Sequence, residues 1–122
     1  MDIFKYSTAL DRITSIKVVN IHRHHGAIDA VDAVVMRGKS QLANPYPMHD
    51  RSDTERSRVI NEFRRYLFKR LQDKNSPQYR EIKRLTALYK KQGSLTLACC
   101  CKPKPCHADV IKSAILNLSM DI

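Results

Sequence analysis

The stretch that most restricts the fold runs from Ser52 to Gly93, where two helices mark both their starts and their stops. Ser52 and Glu55 make an S-x-x-E capping box, a pattern in which two side chains satisfy orphan backbone N–H groups of the first turn. Behind the box, Val59, Ile60, Phe63, Leu67 and Leu71 recur at helical spacing. Arg56, Arg64, Arg65 and Lys69 are expected on the opposite face. A second helix opens with Ser76 as N-cap and Pro77 at the first helical position. It buries Ile82, Leu85 and Tyr89 and stops near Gly93, because glycine accepts the left-handed conformation that closes a helix.

Short apolar segments flank this pair. "SIKVVNIHR" (15–23) places Val19 and Ile21 among β-branched neighbours and reads as a strand. "AVDAVVMRG" (30–38) reads as a second strand ending at Gly38, although "GAIDAVDAVVM" would also tolerate a helical turn, and "RGKSQLANPYPMHD" (37–50), with Gly38, Pro45 and Pro47, is a long loop of the kind that often carries function. After the helices, "SLTLACC" is a short strand. "CHADVIKSAILNL" is a last helix with Val110, Ile111, Ala114, Ile115 and Leu118 on its apolar side. The order strand, strand, helix, helix, strand, helix gives an α/β fold: a small single domain over residues 1–122, with a mostly parallel sheet flanked by helices. At 122 residues and 43% apolar content the chain can bury one core and no second.

No apolar run approaches the length that crosses a bilayer, and Asp2, Lys5, Asp11 and Arg12 interrupt the N-terminus, so it is no secretory signal. The expectation is a cytoplasmic protein with no membrane partner. In that reducing compartment the four cysteines serve as thiols, metal ligands or core residues rather than disulfides. The formal charge is +10, and residues 51–91 hold thirteen Lys or Arg against five Asp or Glu. A concentration of this kind attracts nucleic acid, anionic nucleotides or an acidic protein; a solvated helix face is the plain alternative.

All four cysteines lie in "LTLACCCKPKPCHADVI" (95–111). Along a strand Cys99 and Cys101 share a face and Cys100 points the other way. With Cys106 and His107 they could supply three thiolates and an imidazole to a tetrahedral zinc, although the spacing departs from paired C-x2-C knuckles and adjacent Cys106 and His107 project differently. A second reading is electrostatic: the N–H groups and dipole of the helix starting near residue 106 favour an anion, Lys102 and Lys104 add charge, and the same field favours a thiolate at Cys106. Packing is the third. Cys99 can be a small buried hydrophobe, Asp109 can simply complement the helix dipole, and His107 can be a capping or packed histidine. "HRHHG" (22–26) admits metal binding or a polar turn.

"VVNIHR" (18–23), "RGKSQLANPY" (37–46) and "LACCCKPKPCHADVI" (97–111) resemble, in order and spacing, a family of small bacterial and phage proteins catalogued as domain of unknown function 4326, with distant similarity to family 488 at the C-terminal end. In the last motif Cys99, Cys101, Pro103, Cys106, His107, Asp109 and Val110 agree with the family pattern. Cys100 stands where the family usually has Trp, Ala43 where a glycine precedes Asn-Pro, and Lys39 intrudes between Gly38 and Ser40. The resemblance implies a fold and a pocket rather than a reaction.

In open α/β sheets ligands collect beyond the C-terminal ends of strands, beside helix N-termini. That rule predicts a pocket formed by Asn20 and Arg23, by Arg37, Lys39, Ser40 and Asn44, and by Cys106, His107 and Asp109. The expected function is binding of a nucleotide or nucleic acid through its phosphates, with Arg56, Arg64, Arg65, Lys83 and Arg84 as an outer surface. Two other classes stay open. One is an enzyme on a nucleotide or nucleoside, with Cys106 or Asp109 as nucleophile or base and His107 as proton carrier. The other is a phage-type inhibitor of a host protein, acting in the host cytoplasm.

Overall fold

A computed structural model describes residues 16–20, 31–35, 40–99 and 104–120. Three strands, β1 (Ile16–Asn20), β2 (Ala33–Val34) and β3 (Leu95–Cys99), form one all-parallel sheet in the order β1-β3-β2. The helices are α1 (Asp53–Leu71), α2 (Pro77–Gln92) and α3 (His107–Met120). The expected small α/β architecture is therefore the observed one, and among the described residues no helix is long and apolar enough to cross a membrane.

β3 is central because its sequence can be buried on both faces. Leu95, Leu97, Ala98 and Cys99 are all sealed from solvent, as a parallel strand covered on each side requires. Its register sets Ile16 against Leu95 and Asn20 against Cys99 on one edge, and Ala33 against Leu97 on the other. β2 is shorter than the expected 30–38; residues 36–39 lie outside the described ones. Its register is fixed by more than its two residues. Asp32 donates its N–H to the Thr96 carbonyl at 2.9 Å and accepts the Thr96 N–H on Oδ2 at 2.7 Å, while Val35 N–H reaches the Ala98 carbonyl at 2.9 Å.

The helix signals hold, with one altered detail. Ser52 Oγ accepts the Glu55 N–H at 3.1 Å as a capping serine should, but the box is not closed by the glutamate. Glu55 Oε2 accepts the His49 N–H at 2.7 Å, and Asp50 Oδ1 takes the Ser52 N–H at 2.7 Å. The carboxylate is thereby used to fasten the preceding loop. Ser76 caps α2 through the Tyr79 N–H, and Gly93 ends it at φ 76° with its N–H on the Tyr89 carbonyl. Val59, Phe63, Leu67, Ile82 and Leu85 are buried; Ile60, Leu71 and Tyr89 pack against the core from its edge.

The last helix differs from the one-sided expectation. Besides Val110, Ile111, Ala114 and Ile115, its Lys112, Ser113 and Asn117 are also buried, because α3 packs against α1, α2, β1 and β3 together. Within the helix Ser113 Oγ donates to the Asp109 carbonyl at 3.0 Å and Asn117 Nδ2 to the Ser113 carbonyl at 2.8 Å, while the buried Asn117 Oδ1 has no hydrogen-bond partner among the described residues.

Candidate anion-binding corner

The C-terminal ends of β2 and β3, the first turns of α1 and the start of α3 meet at one corner. Cys106 stands at the N-terminal boundary of α3, and Asp109, three residues on, accepts the Cys106 N–H on Oδ2 at 3.0 Å. This is the acidic half of a capping box, a bond that goes beyond the dipole role expected of Asp109 from sequence. It holds one of the orphan donors of the helix and adds negative charge where the dipole is positive.

His107 Nε2 lies 2.6 Å from the Val35 carbonyl. A carbonyl only accepts, so Nε2 carries a proton and donates it to Val35. The imidazole also meets the Phe63 ring edge-on, with centroids 5.1 Å apart and planes at 79°. One side chain of α3 thus touches the end of β2 and the middle of α1. Cys106 turns the other way: its Sγ is 2.9 Å from Cys99 Sγ at the end of β3. The sequence reading had paired Cys99 with Cys101 on a common strand face; Cys101, like Cys100, lies outside the described residues. Among the described residues no group of three His, Cys, Asp or Glu side chains is gathered as a metal site would need.

Arg56 corrects an expectation. Assigned to the polar face and to an outer nucleic-acid surface, it is only 9% exposed. Its Nη1 donates to the Pro105 carbonyl at 3.3 Å, one residue ahead of Cys106, and its Nε–H is buried with no acceptor among the described residues. The physical reason lies in the spacing: Arg56 is three residues before Val59 and seven before Phe63, which places it on the buried stripe of α1 rather than opposite it. A guanidinium in that position is costly unless something negative comes to it. Sequence reasoning missed this residue although the helical period contained the signal.

The long loop is ordered onto α1 from residue 40. Ser40 Oγ accepts the Leu42 N–H at 3.0 Å, and Leu42 is fully buried. Asn44 Oδ1 accepts the Tyr46 N–H at 2.9 Å while its Nδ2 donates to the Val59 carbonyl at 3.3 Å. Both residues, predicted as ligand contacts, shape the loop. At the far end Arg58 donates to the Pro47 carbonyl at 3.2 Å and pairs with Glu55 at 2.6 Å and Glu62 at 3.1 Å. The Glu55 carboxyl is held down to about 2, first by Arg58 and then by the His49 N–H. Asn20 ends β1 opposite Cys99. Arg23, Arg37 and Lys39 lie outside the described residues.

Of the expected outer surface, Arg64, Arg65, Lys83 and Arg84 are exposed. Arg84 is engaged by Glu81 through two contacts at 2.6 and 2.9 Å. Lys83 lines a cavity of about 300 Å³ with Tyr79 and Lys90 of α2 and Leu118 of α3. This hollow lies toward the C-terminal end of α3 and is separate from the corner at its start.

No curated protein and no solved structure matches the chain. A family model does, over residues 19–117, which include every described element of the corner. On that match the chain belongs to the family described as Domain of unknown function (DUF4326).

Proposed function

We propose that the protein binds a phosphate-bearing ligand, a nucleotide or a nucleic acid, at the corner where β2, β3, α1 and the start of α3 meet. The observation that carries the reading is Arg56: a guanidinium nine-tenths buried, its Nε–H without a partner among the described residues, set against the residue that precedes the N-terminus of a fourteen-residue helix. Phosphate oxygens are the natural complement of a planar guanidinium next to helix N–H groups. The position also agrees with the rule that parallel sheets bind ligands beyond their strand ends. A net charge of +10 raises the local concentration of polyanions, and Lys83, Lys90 and Tyr79 around the hollow between α2 and α3 suit a strand that passes from phosphate to base. Cys106, His107 and Asp109 each have a bond within the corner, which favours binding over turnover. The expected setting is the cytoplasm, that of the host where the chain is phage-encoded.

The experiment is equilibrium binding of a labelled single strand, its duplex and ATP at two salt concentrations. Contacts to about four phosphates lower the affinity for a strand or duplex roughly a hundredfold between about 50 and about 200 mM salt. A flat response removes the nucleic-acid reading. Failure of ATP and pyrophosphate to bind at low salt removes the phosphate site itself.

A further inference from the structure

Beneath the corner lies a feature that phosphate binding does not use. Cys99 ends β3, the central strand, and Cys106 stands at the start of α3; both side chains are sealed from solvent, at 1% and 2% exposure. Their Sγ atoms are 2.9 Å apart and not joined as a disulfide. Two cysteines serving only as small hydrophobes have no reason to turn their sulfurs on each other, since any apolar neighbour satisfies them. Here each thiol belongs to the end of a packed element. One ends a strand and the other starts a helix, both packed in the core, and the remaining approach to a bond of about 2.05 Å is small.

We propose that Cys99 and Cys106 are an oxidation site, a dithiol that converts reversibly into an internal disulfide under a thiol–disulfide oxidant such as oxidised glutathione. One protein thiolate attacks a sulfur of oxidised glutathione, forming a mixed disulfide and releasing one glutathione thiolate, which takes up the proton given up by the attacking thiol. The second cysteine, also deprotonated, attacks the protein-side sulfur of the mixed disulfide and releases the second glutathione. The protein loses two protons and two electrons, and oxidised glutathione becomes two molecules of reduced glutathione. Because both sulfurs are buried, the reaction proceeds through local opening at the start of α3 and is slower than for an exposed thiol. The product ties the end of β3 to the start of α3, one residue from the carbonyl that Arg56 holds.

The test uses the full chain, equilibrated in mixtures of reduced and oxidised glutathione. Remaining thiols are blocked with iodoacetamide, disulfides are reduced, and the thiols released are labelled with N-ethylmaleimide. Lys102 and Lys104 each precede proline, so trypsin leaves all four cysteines in one peptide, residues 92–112, and fragmentation reads the labels residue by residue. The expected result is maleimide on Cys99 and Cys106 in equal yield, with the intact oxidised protein lighter by two hydrogens. The Cys100→Ser/Cys101→Ser double variant gives the same product, and this arm decides the matter even where Cys99→Ala unfolds the chain. Maleimide on Cys100 or Cys101, or no internal disulfide at any glutathione ratio, overturns the proposal. Neither outcome depends on whether phosphate binds.

Discussion

Replacing Arg56 with methionine separates the cost of holding a buried charge from the use of that charge. The variant loses the Nη1 bond to the Pro105 carbonyl, which at 3.3 Å lies beyond the usual range and contributes near the lower end of about 1.5–3 kcal/mol for a charged donor. It also removes a buried Nε–H that has no acceptor among the described residues, a burden of about 1–3 kcal/mol, and the wider penalty of keeping a guanidinium from water. Methionine keeps the length and the apolar stem, and Pro105 is exposed, so its carbonyl can turn to water. The balance favours the variant by about 0–2 kcal/mol, a rise in Tm of up to about 8 °C for a chain of this size. The ligand response moves the other way. Pyrophosphate at about 100 times its Kd stabilises the wild type by about 2.7 kcal/mol, near 10 °C, and the variant keeps less than a third of that shift. Thermal unfolding followed by circular dichroism, with and without pyrophosphate, reads both arms. A variant destabilised by more than about 2 kcal/mol whose pyrophosphate response is intact would refute the reasoning. Arg56 would then be a structural residue.

Glu55 makes stability depend on acid pH. Its carboxyl is held down to about 2, so its contribution is fully present above the ordinary value of 4.5 and is lost as pH falls toward 2. The Tm difference between the wild type and Glu55→Gln is expected to be constant above about pH 5 and to shrink through that window; a gap that persists to pH 2 would show that Arg58 and the His49 N–H do not hold the carboxylate. Phe63 is fully buried and packs its ring on His107, so Phe63→Ala is expected to cost about 3–5 kcal/mol, read as a fall in the urea midpoint, and Phe63→Leu less than about 1.5 kcal/mol. Equal losses in the two variants would mean that the ring contact, not volume, sets the cost.

The helices were legible because their signals act over three or four residues. Ser52, Ser76, Pro77 and Gly93 do what their types require wherever the chain goes next. Even there, one member of the capping box was recruited elsewhere: Glu55 reached back to His49 because the loop returned alongside α1. The corner was legible in outline. The strand-end rule predicts Cys106, His107 and Asp109 together at the start of the last helix, whereas the contacts of Val35 with His107 and of Cys99 with Cys106 could not be read from spacing. Ser40 and Asn44, expected at a ligand, have a role in the loop that spacing did not show, since their side chains accept nearby backbone N–H groups.

By itself, the amino-acid sequence determined the kind and order of the described elements, the caps, the apolar stripes and the placement of Arg56 on one of them, all properties of neighbours along the chain. Tertiary structure alone decided the β1-β3-β2 order, the burial of α3 nearly all round, and the meeting of Cys99 with Cys106. These depend on contacts whose formation requires distant segments to close on one another, and no local preference encodes which closure has the lowest free energy.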